Sequence, residues 1–154
     1  MSDERASPSA LRRPPVVGES LPPLRRQVLQ STIDDYAKAS GDFNPIHVDP
    51  DFAQSGPFGR TIAHGLMTLS FVAQMLNDWT NGAFDVGGEI DVAFVGPVFA
   101  GDMVEVSGLV EEILERDGRP VARIKLTCRA GERDILAGSA LQPFEETGKA
   151  SSMG

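Results

Sequence analysis

One cysteine, two histidines, one tryptophan and one tyrosine are all that the 154 residues hold of those types. Cys128 therefore has no partner for an intramolecular disulfide, and one thiol with two histidines falls short of a standard zinc cage. A reducing cytoplasm is the expected setting. Basic residues are also scarce: 14 Lys and Arg stand against 22 Asp and Glu, a formal charge of −8. That sign repels a phosphate backbone, which excludes nucleic acid as a partner on counterion-release grounds. Long apolar runs are missing as well. The best of them, Ile62 to Leu76, is interrupted by His64, Gly65, Thr68, Ser70 and Gln74, so no stretch approaches the roughly 20 apolar residues that span a bilayer. No membrane partner is expected. The N-terminus has Arg12-Arg13, but Pro14-Pro15 stand where an export signal needs an apolar segment, and no targeting signal is read there.

What remains is an ordinary globular composition, 41% hydrophobic and 23% charged, in a length that fits one domain. Residues 1–23 concentrate Pro8, Pro14, Pro15, Pro22 and Pro23 among Ser and Arg, which predicts a flexible N-terminal arm. Five arginines fall by Arg26, so the rest of the chain is more acidic than the whole. A domain is expected over 24–144, with 145–154 as a disordered tail.

Within that domain, Ser31 or Thr32 followed by Asp34 or Asp35 reads as a capping box, opening a short helix that ends at Gly41. The Asn44-Pro45 step then forces the backbone out of helix, and Asp49-Pro50 reads as an N-cap with proline at N1 of a brief second helix. Gly65 to Trp79 is apolar all round, which predicts a buried helix; Met67, Phe71, Met75 and Trp79 are assigned to the core. Four strands are predicted afterwards, over 88–95, 103–114, 121–128 and 135–141, with turns at Gly96-Pro97, Asp117-Gly118 and Ala130-Gly131. Arg25 to Leu29 can add an edge strand. The fold class is α+β, an antiparallel sheet curled around one buried helix.

The chemistry concentrates in the turn-rich segment. Asp42 and His47 are five residues apart between two conformational restraints, Gly41 and Pro45, so both side chains can be held toward one point. A carboxylate and an imidazole together suit proton transfer to and from water and carbon. The same residues also fit structural roles, Asp42 closing an Asx turn and His47 filling a polar core position. A metal held by Asp42, His47, Asp49 and His64 is set aside, because no histidine pair has the helical i, i+4 spacing that divalent sites use. Cys128, in an apolar strand, is expected to be inert.

Tyr36-Ala37-Lys38-Ala39-Ser40-Gly41-Asp42-Phe43-Asn44-Pro45-Ile46-His47, then Ala53 and Ile62-Ala63-His64-Gly65, closely resembles the signature of the MaoC-like, R-specific 2-enoyl-thioester hydratases. The resemblance implies a single hot-dog domain and reversible hydration of trans-2-enoyl thioesters to (R)-3-hydroxyacyl thioesters. It implies that Asp42 and His47 are the catalytic pair and that Asn44 fixes the loop. Gly65, at a helix N-terminus, would donate its N–H to the thioester oxygen; His64 can line the substrate pocket, but the motif makes it neither acid nor base, and a hydrogen-bonded structural role is the one expected of it. Some short-chain members carry a serine at the position of Ala73, so that contact is not carried over. No cofactor and no metal are implied. The partners implied are acyl-CoA or an acyl carrier protein and a second copy of the chain in a homodimer. Arg60, Arg123, Lys125 and Arg129 are the basic residues that can meet the carrier. Two rival readings share the fold: an acyl-thioesterase, and a non-catalytic acyl-binding subunit of a heterodimeric dehydratase.

Overall fold

The computed structural model describes Leu11 and residues 13–146. Five strands form one antiparallel sheet: β1 (Leu24–Gln27), β2 (Glu89–Phe94), β3 (Met103–Arg116), β4 (Arg119–Ala130) and β5 (Arg133–Pro143), in the order β1-β3-β4-β5-β2. Period-2 patterning explains which face turns inward. Val104, Val106 and Val110 on β3 and Ile124, Leu126 and Cys128 on β4 are buried, while Glu105, Lys125 and Arg129 between them are exposed. Leu109, on the same side as Glu105, sits opposite Lys125 and is 40% exposed. The β3–β4 hairpin closes on Asp117 and Gly118 with φ of 53° and 77°, the paired left-handed conformation that an Asp-Gly step supplies.

Against this inner face lies α4 (Gly65–Thr80), the helix expected at the centre. Met75 presses on the sheet where β3 carries Gly108, and a Cβ at that glycine would stand 3.0 to 3.2 Å from Ile124, Leu21 and Met75. The glycine is what lets helix and sheet approach. The helix is not buried all round, as its apolar composition predicted. Met67, Val72, Met75 and Leu76 are buried, whereas Leu66, Ser70, Gln74 and Asp78 form an exposed stripe, with Leu66 64% exposed. Composition reports that a face is apolar; it does not say whether the same chain covers it.

Three shorter helices precede α4. The first, α1 (Gln30–Ser40), ends where Gly41 takes φ 79°, but it begins before the expected capping box: Thr32 stands at N3 and its hydroxyl accepts the Leu29 N–H at 3.3 Å. The second, α2 (Pro45–Val48), is capped by Asn44, whose side chain accepts the Ile46 N–H at 3.2 Å. Asp49 caps the third, α3 (Pro50–Gln54), by accepting the N–H groups of Asp51 and Phe52. A further turn of helix, α5 (Phe84–Gly87), follows α4 where sequence offered no helical signal.

The expected flexible arm divides. Residues 1–10 and 12 lie outside the described residues, as do 147–154 of the expected tail. Residues 13–23 are not loose: Gly18 N–H donates to Val110 O at 2.8 Å, Leu21 N–H to Gly108 O at 2.9 Å, and Leu21 is 2% exposed. Proline-rich composition lowers the apolar area available for burial. Here one leucine placed over a glycine gap, with two hydrogen bonds to the edge of β3, is enough to seat the segment.

Candidate active site

Asp42 and His47 do meet. The α1 C-cap at Gly41 turns the chain outward, the Asp42 side chain accepts the Asn44 N–H at 3.1 Å, and Asn44 in turn caps α2 and so aims His47. Asp42 Oδ2 and His47 Nε2 end 3.9 Å apart, with the imidazole 9% exposed and the carboxylate 53% exposed. The gap is too long for a direct hydrogen bond, and it has the width that one water about 2.8 Å from each atom can bridge.

The imidazole is oriented from behind. His47 Nδ1 lies 2.7 Å from the Ile62 carbonyl oxygen, which can only accept, so Nδ1 donates there and Nε2 is the ring nitrogen that faces Asp42. Gln30, which no local pattern had singled out, donates to the His47 carbonyl at 2.8 Å and accepts from the Thr61 hydroxyl at 2.6 Å. It ties α1, α2 and the segment before α4 into one frame. His64 serves the other partner: its Nε2–H donates to the Asp42 carbonyl oxygen at 2.9 Å, its ring stacks on His47 at 3.8 Å, and Tyr36 packs against it at 4.8 Å with the rings tilted by 52°. His64 therefore holds Asp42 and braces His47. Its Nδ1 is buried with no partner among the described residues.

Asp42, His47 and His64 offer ligand atoms within 4.8 Å of one another. Their geometry argues against a metal centre. The two imidazoles stack with only 26° between their planes, so their in-plane lone pairs run side by side and do not converge on one point about 2.0 Å from each nitrogen.

Beside the pair opens an apolar cavity of about 390 Å³, lined by Phe58, Ile62, Gly65, Phe94, Pro97 and Val98, among others. Two of these link it to the pair: Ile62 supplies the carbonyl that orients His47, and Gly65 is the first residue of α4. The first N–H groups of a helix lack intrahelical acceptors and sit at its positive end, so Gly65 offers a donor to an oxygen at the cavity edge. Ala73 packs against the core as part of α4. Cys128 is fully buried, and burial pushes its thiol up to about 12, which keeps it unreactive.

The family description "MaoC like domain" matches residues 14–129, three quarters of the chain and all of the elements that carry the pair. The chain belongs to the MaoC-like dehydratase family. Relatives agree: a 3-hydroxybutyryl-CoA dehydratase of Methylorubrum extorquens is 36% identical over 118 residues, covering 77% of this chain and 74% of that protein. An (R)-specific enoyl-CoA hydratase of Aeromonas caviae is 36% identical over 89 residues, 58% of this chain and 65% of that protein. In three dimensions, the (R)-hydratase from A. caviae involved in PHA biosynthesis superposes with a TM-score of 0.70 at 28% identity, covering 82% of this chain and 94% of that one. The curled antiparallel sheet around one helix is thus the hot-dog fold of that hydratase, as the sequence resemblance implied.

Proposed function

We propose that this MaoC-like protein is a hydro-lyase that reversibly adds water to trans-2-enoyl thioesters, giving (R)-3-hydroxyacyl thioesters. The observation that carries the reading is the 3.9 Å approach of Asp42 Oδ2 to His47 Nε2 at the edge of an apolar cavity that ends on a helix N-terminus. The cavity takes the acyl chain and the pair holds one water. As the water oxygen bonds to C3, one of the pair accepts its proton and the C2–C3 π electrons move toward the thioester oxygen. The Gly65 N–H faces that developing enolate, and the other member of the pair protonates C2. No cofactor or metal enters this sequence; acyl-CoA or an acyl carrier protein brings the substrate. One buried thiol, and no helix long and apolar enough to cross a membrane among the described residues, suit a cytoplasmic location.

The test follows crotonyl-CoA and longer 2-enoyl-CoA thioesters by enoyl absorbance and free thiol in parallel. Absorbance loss without thiol release is the expected result. Thiol release would make the protein a thioesterase, and silence in both channels would turn the reading toward a binding subunit.

The working unit in this reading is a homodimer. One sheet edge, β1, is charged, with Arg25 paired to Glu105; the other, β2, ends in Phe94 beside Gly65 of α4, and Phe94 and the following Val95 are 51% and 57% exposed. An open edge with apolar neighbours is a surface that a second copy covers. Sedimentation equilibrium is expected to give twice the 16.5 kDa chain mass, and Phe94→Lys to return it to 16.5 kDa. A wild-type mass of one chain would refute the pairing.

A further inference from the structure

Of the four basic residues that sequence left open, two are paired with carboxylates and a third lies on the outer face of the sheet. Arg123 donates to Glu112 at 2.8 Å, Arg129 pairs with Asp134 at 3.0 Å, and Lys125 is on the outer side of β4 beside Ser20 and Leu21. Arg60 differs from them. Its guanidinium carbon lies 3.7 Å from the centroid of the Phe99 ring, and no carboxylate comes within ion-pair distance of it among the described residues.

The same ring carries a second cation. Arg133 stands 4.7 Å from the Phe99 centroid, but Asp102 takes its charge at 2.5 Å, and the Pro97 carbonyl accepts from it at 2.8 Å. Asp102 is itself fastened, accepting the Phe99 N–H at 2.8 Å. Two guanidiniums and one carboxylate therefore leave one uncompensated positive charge, and it resides on Arg60, in a chain whose net charge is −8.

This charge adjoins the substrate cavity. Phe58 lines the cavity and packs edge-on to Phe99 at 6.4 Å, Pro97 lines it while holding Arg133, and Ile62 lines it two residues from Arg60. Five residues separate Arg60 from Gly65, so their Cα atoms are at most about 18 Å apart, a span that an extended pantetheine arm covers. Stacking on the ring also restrains a long side chain in advance and keeps its planar donor edge available, which favours phosphate over a diffuse anion.

We infer that Arg60, laid on Phe99 beside the acyl cavity, is the subsite for a phosphate of the pantetheine-bearing carrier. The inference rests on the thioester reading above. A charge-assisted contact of this kind is worth about tenfold in affinity.

The experiment compares crotonyl-CoA with crotonyl-pantetheine, which has the same thioester and no phosphate. Arg60→Gln is expected to raise KM for the CoA thioester about tenfold at unchanged kcat, leave the pantetheine thioester within about twofold, and have Arg60→Lys fall between. Equal loss on crotonyl-pantetheine, or no loss on the CoA thioester, would overturn the assignment. A crotonyl acyl carrier protein separates the sources of phosphate. Parallel loss on both carriers places Arg60 on the phosphate that they share, and loss on CoA alone places it on the nucleotide phosphates. Should the wild type hydrate nothing, the hydration reading falls, and calorimetric titration with CoA still decides the subsite. Binding weakened about tenfold in Arg60→Gln supports it, and unchanged binding refutes it.

Discussion

Replacing His47 with glutamine is expected to slow crotonyl-CoA hydration by about a thousandfold, and Asp42→Asn by a similar factor, since positioned acid–base groups contribute about 10² to 10⁴ in rate. The reason lies in how the two are held. His47 Nε2 is aimed across 3.9 Å at the Asp42 carboxylate because Nδ1 is committed to the Ile62 carbonyl. Glutamine has one carbonyl oxygen and one amide, neither of which takes a proton at neutral pH. Asparagine keeps the volume of Asp42 and the acceptor that the Asn44 N–H uses, while removing the charge. If a single water is shared by both groups, the double variant is expected to be little worse than either single one, because residues that act as a unit are grossly non-additive. Losses that multiply would mean that the two groups act on separate steps. A variant that retains more than a tenth of the wild-type rate would remove that residue from the chemistry.

The pair was legible in sequence because its geometry is local. Gly41, Pro45 and the two Asx side chains at Asp42 and Asn44 all act within six residues, and each side-chain oxygen accepts an N–H two residues on. The strands and the Asp117-Gly118 hairpin were legible for the same reason, a period of two punctuated by a turn that needs two left-handed residues. What brings His64 onto His47 is not local. Seventeen residues separate them, and the contact depends on how Ile62 bridges to Phe99 and on the Gln30 frame, neither of which has a periodic signature. The exposed stripe of α4 was hidden for another reason. Leu66, Phe71, Met75 and Trp79 give one apolar composition whether they meet the chain's own sheet, a partner, or a substrate. Composition likewise misjudged residues 13–23, where one well-placed Leu21 outweighs the prolines around it.

Gly65→Pro is expected to lower kcat by about 10² to 10³, the range that follows loss of one oxyanion donor, while Gly65→Ala stays within about tenfold of the wild type. The two substitutions share a cost and differ in one hydrogen. Either adds a Cβ that would meet the Phe94 ring at 3.2 Å, a contact that asks the ring to shift by a few tenths of an ångström and that both variants share. Only proline removes the N–H. The backbone tolerates the change unusually well: Gly65 is the first helical residue of α4, where a proline costs no intrahelical bond, and His64 sits at φ −65°, ψ 136°, the extended conformation that a residue before proline prefers. A fall in rate thus reports the lost donor and not an unfolded helix, provided that the circular dichroism melt stays close to that of the alanine variant. Equal rates for the proline and alanine variants would clear Gly65 of the enolate and direct attention to the neighbouring N–H of Leu66, the next donor at the same helix end.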